Sequence, residues 1–196
     1  MTTITKKLFT LAEYHRLAEW GFFEQNNRVE LIRGELIQMA AKGRNHSVCN
    51  SLVFGELYSI LGKRANVRGQ EPIILSNNSE PEPDVVIARK KADNYLSAHP
   101  TPDDILLVIE VADSTLKYDQ TTKLEIYAEA GITDYWIFNL IDNQLELYNE
   151  PLKDSKSKFN YRFKRIALPT ETVKIPEFSE LTLDLAQVFP TQASSS

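Results

Sequence analysis

Glu110 is a carboxylate in the middle of an apolar run, Ile105-Leu106-Leu107-Val108-Ile109-Glu110-Val111. Such a run has the composition of a strand covered on both sheet faces, where a lone ionised carboxylate is costly unless a cation or several donors compensate it. Asp84 opens an earlier apolar run, Val85-Val86-Ile87-Ala88, and Lys123 follows Glu110 on the next expected helix. Two acids on neighbouring buried strands with an amine nearby have the chemistry of a site for a hard metal ion. Each residue also has a plainer role open to it. Pro83-Asp84 fits a turn in which the aspartate caps amides. Glu110 could pair with a buried arginine or lysine. Lys123 could face water and pair with Asp119, four residues back.

A third acid has two candidates, Glu30 in Val29-Glu30-Leu31 and Glu35 just after Arg33-Gly34. Alternation alone buries neither, and at most one of them is expected in the site. Other chemistries lack their parts. His46 and Cys49 share a helix face but give two ligands, where a structural zinc wants four. Ser114-Thr115 follows Asp113, yet no histidine is placed to activate a serine. Seven glycines leave no room for a glycine-rich phosphate loop.

The elements that must position these residues follow from the pattern. Thr10 with Glu13 forms a capping-box signature for a helix over 10–20. Residues 28–32 and 35–39 read as two strands hinged on Arg33-Gly34, and Asn45 is placed to cap a helix over 45–61. The apolar positions Val48, Leu52, Val53, Leu57, Ile60 and Leu61 recur on that helix at helical spacing. Strands are expected at 66–75 and 84–89, joined by the polar, proline-bearing segment 76–83. Pro100 and Pro102 break the chain before the strand at 105. A helix over 119–130 ends at Gly131. Residues 135–139 and 144–148 form a hairpin across Asp142-Asn143, and 161–167 is a late strand. The tail at 178–189 packs back in a way the pattern does not specify. The strand, helix, strand order from 105 to 139 favours a crossover, so part of a mixed sheet should be parallel.

The 196 residues suffice for one well-buried domain, expected over residues 1–190 with a frayed tail at 191–196. Hydrophobic residues at 42% and charged residues at 25% match an ordinary soluble protein. No apolar run approaches the roughly 20 residues of a membrane helix, so no membrane partner is expected. Residues 1–10 lack a signal-peptide core, and the single cysteine, Cys49, cannot form an internal disulfide. A cytoplasmic setting is therefore expected. A net charge of −5 argues against non-specific coating of nucleic acid but leaves a metal-compensated site open. Lys153, Lys156, Lys158, Arg162, Lys164 and Arg165 form a basic cluster that serves equally as a solvated face or as a phosphate contact.

Several of these segments together carry a resemblance. They are Glu30-Leu31-Ile32-Arg33-Gly34-Glu35, His46, Pro83-Asp84-Val85-Val86, and Ile109-Glu110-Val111 with Ser114. Tyr118-Asp119 with Lys123 and Tyr127, and Gly131-Ile132-Thr133-Asp134-Tyr135-Trp136, complete the set. In this order they resemble the Uma-two family of endonucleases in the PD-(D/E)xK, restriction-endonuclease-like superfamily. The resemblance spans residues 9–148 and continues more weakly to 189. It implies an α/β fold with a restriction-endonuclease-like mixed β-sheet core flanked by helices. It also implies roles: Asp84 and Glu110 as the superfamily acids, Glu30 as an additional acid, and Lys123 as a lysine moved to the helix. The usual lysine position after the second acid holds Ala112 here.

Carboxylate oxygens suit Mg²⁺ or Mn²⁺. The implied ligands are Asp84, Glu110, the Val111 carbonyl and Glu30, directly or through water. Lys123 would orient water or stabilise charge on the phosphate. The implied activity is Mg²⁺-dependent hydrolysis of DNA phosphodiester bonds, leaving a 5′-phosphate and a 3′-hydroxyl. Cutting both strands usually takes two sites, which makes a homodimer the expected assembly. The competing expectation is a catalytically inactive nuclease-fold scaffold or regulatory binding protein, its acids kept as a buried polar network.

Overall fold

The computed structural model describes residues 5–23 and 28–190, so the expected frayed tail at 191–196 lies outside the described residues. Helix α1 (Leu11–Glu19) starts as its sequence predicts, with Thr10 and Glu13 exchanging capping-box hydrogen bonds. A hairpin of β1 (Val29–Ile32) and β2 (Glu35–Gln38) follows. Its turn needs left-handed backbone at Arg33 (φ 49°) and Gly34 (φ 80°). Gly34 is also packed tightly, since a Cβ there would lie 2.7 Å from Leu8 Cβ.

Six strands form the central mixed sheet, in the order β3-β4-β5-β6-β7-β8. They are β3 (Asn66–Gly69), β4 (Val85–Ala88), β5 (Ile105–Ala112), β6 (Asp134–Asn139), β7 (Gln144–Lys153) and β8 (Phe159–Ala167). β5 and β6 run parallel, as the crossover predicts, and the other neighbours are antiparallel. Every residue of β5 is buried, because both faces of the sheet are covered. On one face Val85, Ile87, Ile109, Val111 and Phe138 pack against Cys49, Val53, Leu57 and Leu61 of α2 (Arg44–Leu61). Val86, Val108, Ala112 and Ile137 pack on the other face against Ile126, Tyr127 and Ala128. A buried Leu or Ile side chain of this kind contributes about 1.5–3 kcal/mol. Leu107→Ala in the fully buried centre of β5 would therefore cost about 2–5 kcal/mol.

The link between β5 and β6 is helical but not regular. A short α3 (Leu116–Tyr118) leads into a π-helical turn (Asp119–Lys123) and then α4 (Leu124–Glu129). The Leu124 N–H reaches back five residues to the Asp119 carbonyl. Two side chains loosen the regular ladder here. Thr121 Oγ1 donates to the Lys117 carbonyl at 2.6 Å, and the Tyr135 hydroxyl donates to the Asp119 carbonyl at 3.1 Å. Gly131 (φ 80°) terminates the segment as predicted.

Three expectations about elements are corrected, and the tail left open by the pattern takes a definite form. The strand expected over 66–75 ends at Gly69, because Gln70 is left-handed (φ 56°) and Pro72 brings no N–H to a ladder. Gly43, not Asn45, is the N-cap of α2, and Val48 and Leu52 are exposed while Cys49 joins the buried stripe. The helix expected over 119–130 starts earlier and carries the π turn. The unspecified tail forms β10 (Phe178–Asp184), paired with β9 (Thr172–Ile175), and adds Leu183, Leu185 and Val188 to the α2-side core.

Candidate active site

Asp84 and Glu110 are brought side by side by the antiparallel register of β4 and β5, in which Val85 faces Ile109. Both lie at the end of the pair nearest α3 and the π turn, and both line a cavity of about 250 Å³. The two acids are tied to each other through backbone. The Val111 N–H donates to Asp84 Oδ2 at 3.0 Å, and the Asp84 N–H donates to Glu110 Oε2 at 3.3 Å. His46, in the first turn of α2, places Nε2 3.0 Å from Asp84 Oδ2. Lys42, in the link between β2 and α2, donates to Asp84 Oδ1 at 3.3 Å.

Lys123 is buried and turned toward the carboxylates. Its amine lies 2.7 Å from Glu30 Oε2 and 3.3 Å from Glu110 Oε1, so the water-facing pairing with Asp119 does not form. Asp119 instead accepts from Thr115 Oγ1 at 2.7 Å. Tyr127, one turn after Lys123, donates to Glu110 Oε1 at 2.7 Å. The two candidate third acids separate clearly. Glu30 is buried and also accepts the Glu82 N–H at 3.3 Å, whereas Glu35 is exposed and paired with Lys6.

The electrostatics follow from burial opposed by partners. Burial pushes the Glu110 carboxyl above its ordinary range, with Lys123 pulling it down and the negative charge of Asp84 adding to the rise. At Asp84 burial acts the same way, but His46, the Val111 amide and Lys42 outweigh it and hold the carboxyl low. Burial and the field of Glu110 push Asp119 up to about 8. Burial alone would depress the Lys123 amine, yet Glu110 and Glu30 overcome it and hold the amine above its usual value.

Six acids, Glu30, Glu82, Asp84, Glu110, Asp113 and Asp119, thus line one cavity with two amines, Lys42 and Lys123. No group of three His, Cys, Asp or Glu residues converges as a ready-made metal cage among the described residues. The donors that exist are nevertheless hard oxygens in excess of the local cations, which is the chemistry a Mg²⁺-like ion satisfies. The Val111 N–H faces Asp84, and in a paired strand the carbonyl of the same residue leaves on that side too.

Sequence reasoning did not single out Lys42, which lies in an aperiodic loop and gives no pattern signal. Tyr127 enters the sequence pattern only through the family resemblance, beside Lys123. The basic cluster is partly paired in the structure: Lys164 meets Glu146, Arg165 meets Glu171 and Arg162 meets Glu150. No helix among the described residues is long and apolar enough to cross a membrane.

Among solved structures, a "putative nuclease" from Anabaena variabilis ATCC 29413 has a TM-score of 0.70 to this chain at 18% identity. The match covers 92% of this chain and 97% of that one, and at this identity it speaks for the fold alone. No curated protein matches the chain. A family model described as "Putative restriction endonuclease" matches residues 11–186. The chain belongs to that family, Uma-two.

Proposed function

We propose that this protein is a Mg²⁺- or Mn²⁺-dependent endonuclease of the PD-(D/E)xK type that hydrolyses phosphodiester bonds in DNA. The observation that carries this reading is the position of Lys123. Its amine is 3.3 Å from Glu110 and shares a cavity with Asp84, although Ala112 occupies the usual lysine position. Asp84, Glu110 and the Val111 carbonyl would hold the ion, with Glu30 acting directly or through water. A bound divalent ion supplies Lewis-acid polarisation of the phosphate and a more acidic water. Lys123 stabilises negative charge developing on the phosphate oxygens, and Glu30 holds the amine in place. Tyr127 and the Asp84 amide fix both oxygens of Glu110, so that carboxylate is oriented before substrate arrives. Two such sites in a homodimer would cut both strands of a duplex. The buried single cysteine suits a reducing cytoplasm.

One observation favours a second reading, an inactive scaffold. Each of Asp84, Glu110 and Glu30 already has protein donors, so the network can stand without an ion. Supercoiled plasmid distinguishes the two. Wild-type protein with Mg²⁺ or Mn²⁺ is expected to nick or linearise it, and Glu110→Ala and Lys123→Ala are each expected to lose the activity. No cutting by wild type under either ion, or equal cutting by all three proteins, would sink the endonuclease reading.

A further inference from the structure

The two oxygens of Asp84 are used differently. Oδ2 is held by the Val111 amide of β5 and by His46 of α2. Oδ1 meets the Lys42 amine at 3.3 Å, on the cavity side. Lys42 comes from the link between β2 and α2, immediately before Gly43, the N-cap of α2. A cation at a helix N-terminus opposes the helix dipole, and the first turn of α2 contains no acid to offset it. Lys42 is thus held in an unfavourable place for an amine, and Asp84 is what holds it there.

Lys42 also has somewhere else to go. It lines the acid cavity and, on its other side, an open groove of about 760 Å³ along α2 and β3. That groove presents side-chain oxygens of Ser47, Asn50, Ser51, Asn66, Gln70 and Glu71, which can accept from a released amine. The Lys42 side chain is 23% exposed, so the path is not closed, in contrast to Lys123 at 5%.

We propose that Lys42 is a displaceable internal cation: it neutralises Asp84 in the metal-free protein and is expelled into the groove when a divalent ion takes Oδ1. This inference rests on the metal-dependent reading given above. It assigns the two lysines opposite duties. Lys123 is locked between Glu30 and Glu110 and stays, whereas Lys42 yields. Competition from Lys42 lowers the affinity of the site for metal and keeps Asp84 neutralised when no metal is present.

The test is Mn²⁺ binding by titration calorimetry to wild type, Lys42→Met and Lys42→Arg, with folding checked by circular dichroism. Lys42→Met is expected to bind Mn²⁺ roughly tenfold tighter, the scale of one charge-assisted hydrogen bond. Lys42→Arg, which keeps a cation beside Asp84, is expected to stay near wild type. A second readout separates displacement from a mere charge effect. Amine acetylation followed by mass spectrometry should show Lys42 becoming more reactive when Mn²⁺ is added, with Lys123 unchanged. Wild-type binding with equal or weaker affinity in Lys42→Met, or no rise in Lys42 labelling on adding Mn²⁺, overturns the proposal and leaves the metal site standing. Absence of Mn²⁺ binding in both proteins, with no plasmid cutting, overturns the metal reading and this one together.

Discussion

Asp84 and Glu110 each hold a backbone amide at the other's position: Glu110 accepts the Asp84 N–H, and Asp84 accepts the N–H of Val111, next to Glu110. The acids are therefore built into the sheet ladder and cannot reorient without disturbing it. Their geometry is set by strand register, and the remaining groups of the site are brought to them.

Lys123 joins that pair through charge, and its removal should separate stability from catalysis. Lys123→Met leaves Glu30 and Glu110 buried without their cation, a loss expected to cost about 3–5 kcal/mol. The double variant Lys123→Met/Glu110→Gln should recover part of that stability in urea melts while remaining inactive on plasmid. Recovery of cutting along with stability would mean that neither the Lys123 amine nor the Glu110 carboxylate is needed for catalysis.

Tyr127 offers a milder probe. Tyr127→Phe keeps the ring against Tyr135 but deletes the 2.7 Å bond to Glu110. Leaving that buried oxygen short of a donor is expected to cost about 1–3 kcal/mol. Chemical denaturation of the two proteins measures it, and a change below about 0.5 kcal/mol would show that Lys123 alone satisfies Glu110.

Metal should stabilise the fold by mass action. At a Mg²⁺ concentration 100 times its Kd, wild type should gain about 2.7 kcal/mol, seen as a rise in Tm. Asp84→Asn removes one ligand charge and should abolish most of the rise. An equal rise in wild type and in Asp84→Asn would place the ion elsewhere on the surface.

Acid stability should report on a second polar cluster, behind the π turn. Burial pushes the Glu146 carboxyl up, but Lys164, Tyr148, Asn139 and Gln120 together hold it down at about 2. A folded pKa below the unfolded value of 4.5 means the stabilisation is complete above about pH 4.5 and is lost as pH falls toward 2. Urea midpoints of wild type should therefore fall more steeply from about pH 5 to about pH 2 than those of Glu146→Gln. Parallel curves would show that Glu146 carries no such linkage.

Much of this arrangement is legible in the sequence because it depends on local pattern. The apolar run around Glu110 marks a strand buried on both faces, and the capping box of Thr10 and Glu13 starts α1 where it should. Glu30 and Glu35 look alike in sequence, since alternation does not say which face of β1–β2 is covered; packing under the sheet decides for Glu30. The direction of Lys123 depends on a π turn that no periodicity announces. Lys42 and the Glu146 cluster are set by tertiary approach between distant segments, for which spacing along the chain has no signal.

The π turn between Asp119 and Lys123 has a further consequence. A helix converts residue count into angle, at about 100° per residue. The wide turn takes up one residue without advancing that angle, so it acts as a phase adjuster between two anchored halves. Upstream, Thr115 and Asp119 fix one half; downstream, Tyr127 fixes the other on Glu110. Closing the turn into a regular helix at the same residue count would swing Tyr118 about a quarter turn away from the cavity relative to the downstream half, whereas deleting one residue would leave that phase unchanged. The amine's aim thus depends on the pitch of that one turn as well as on the two carboxylates that hold it.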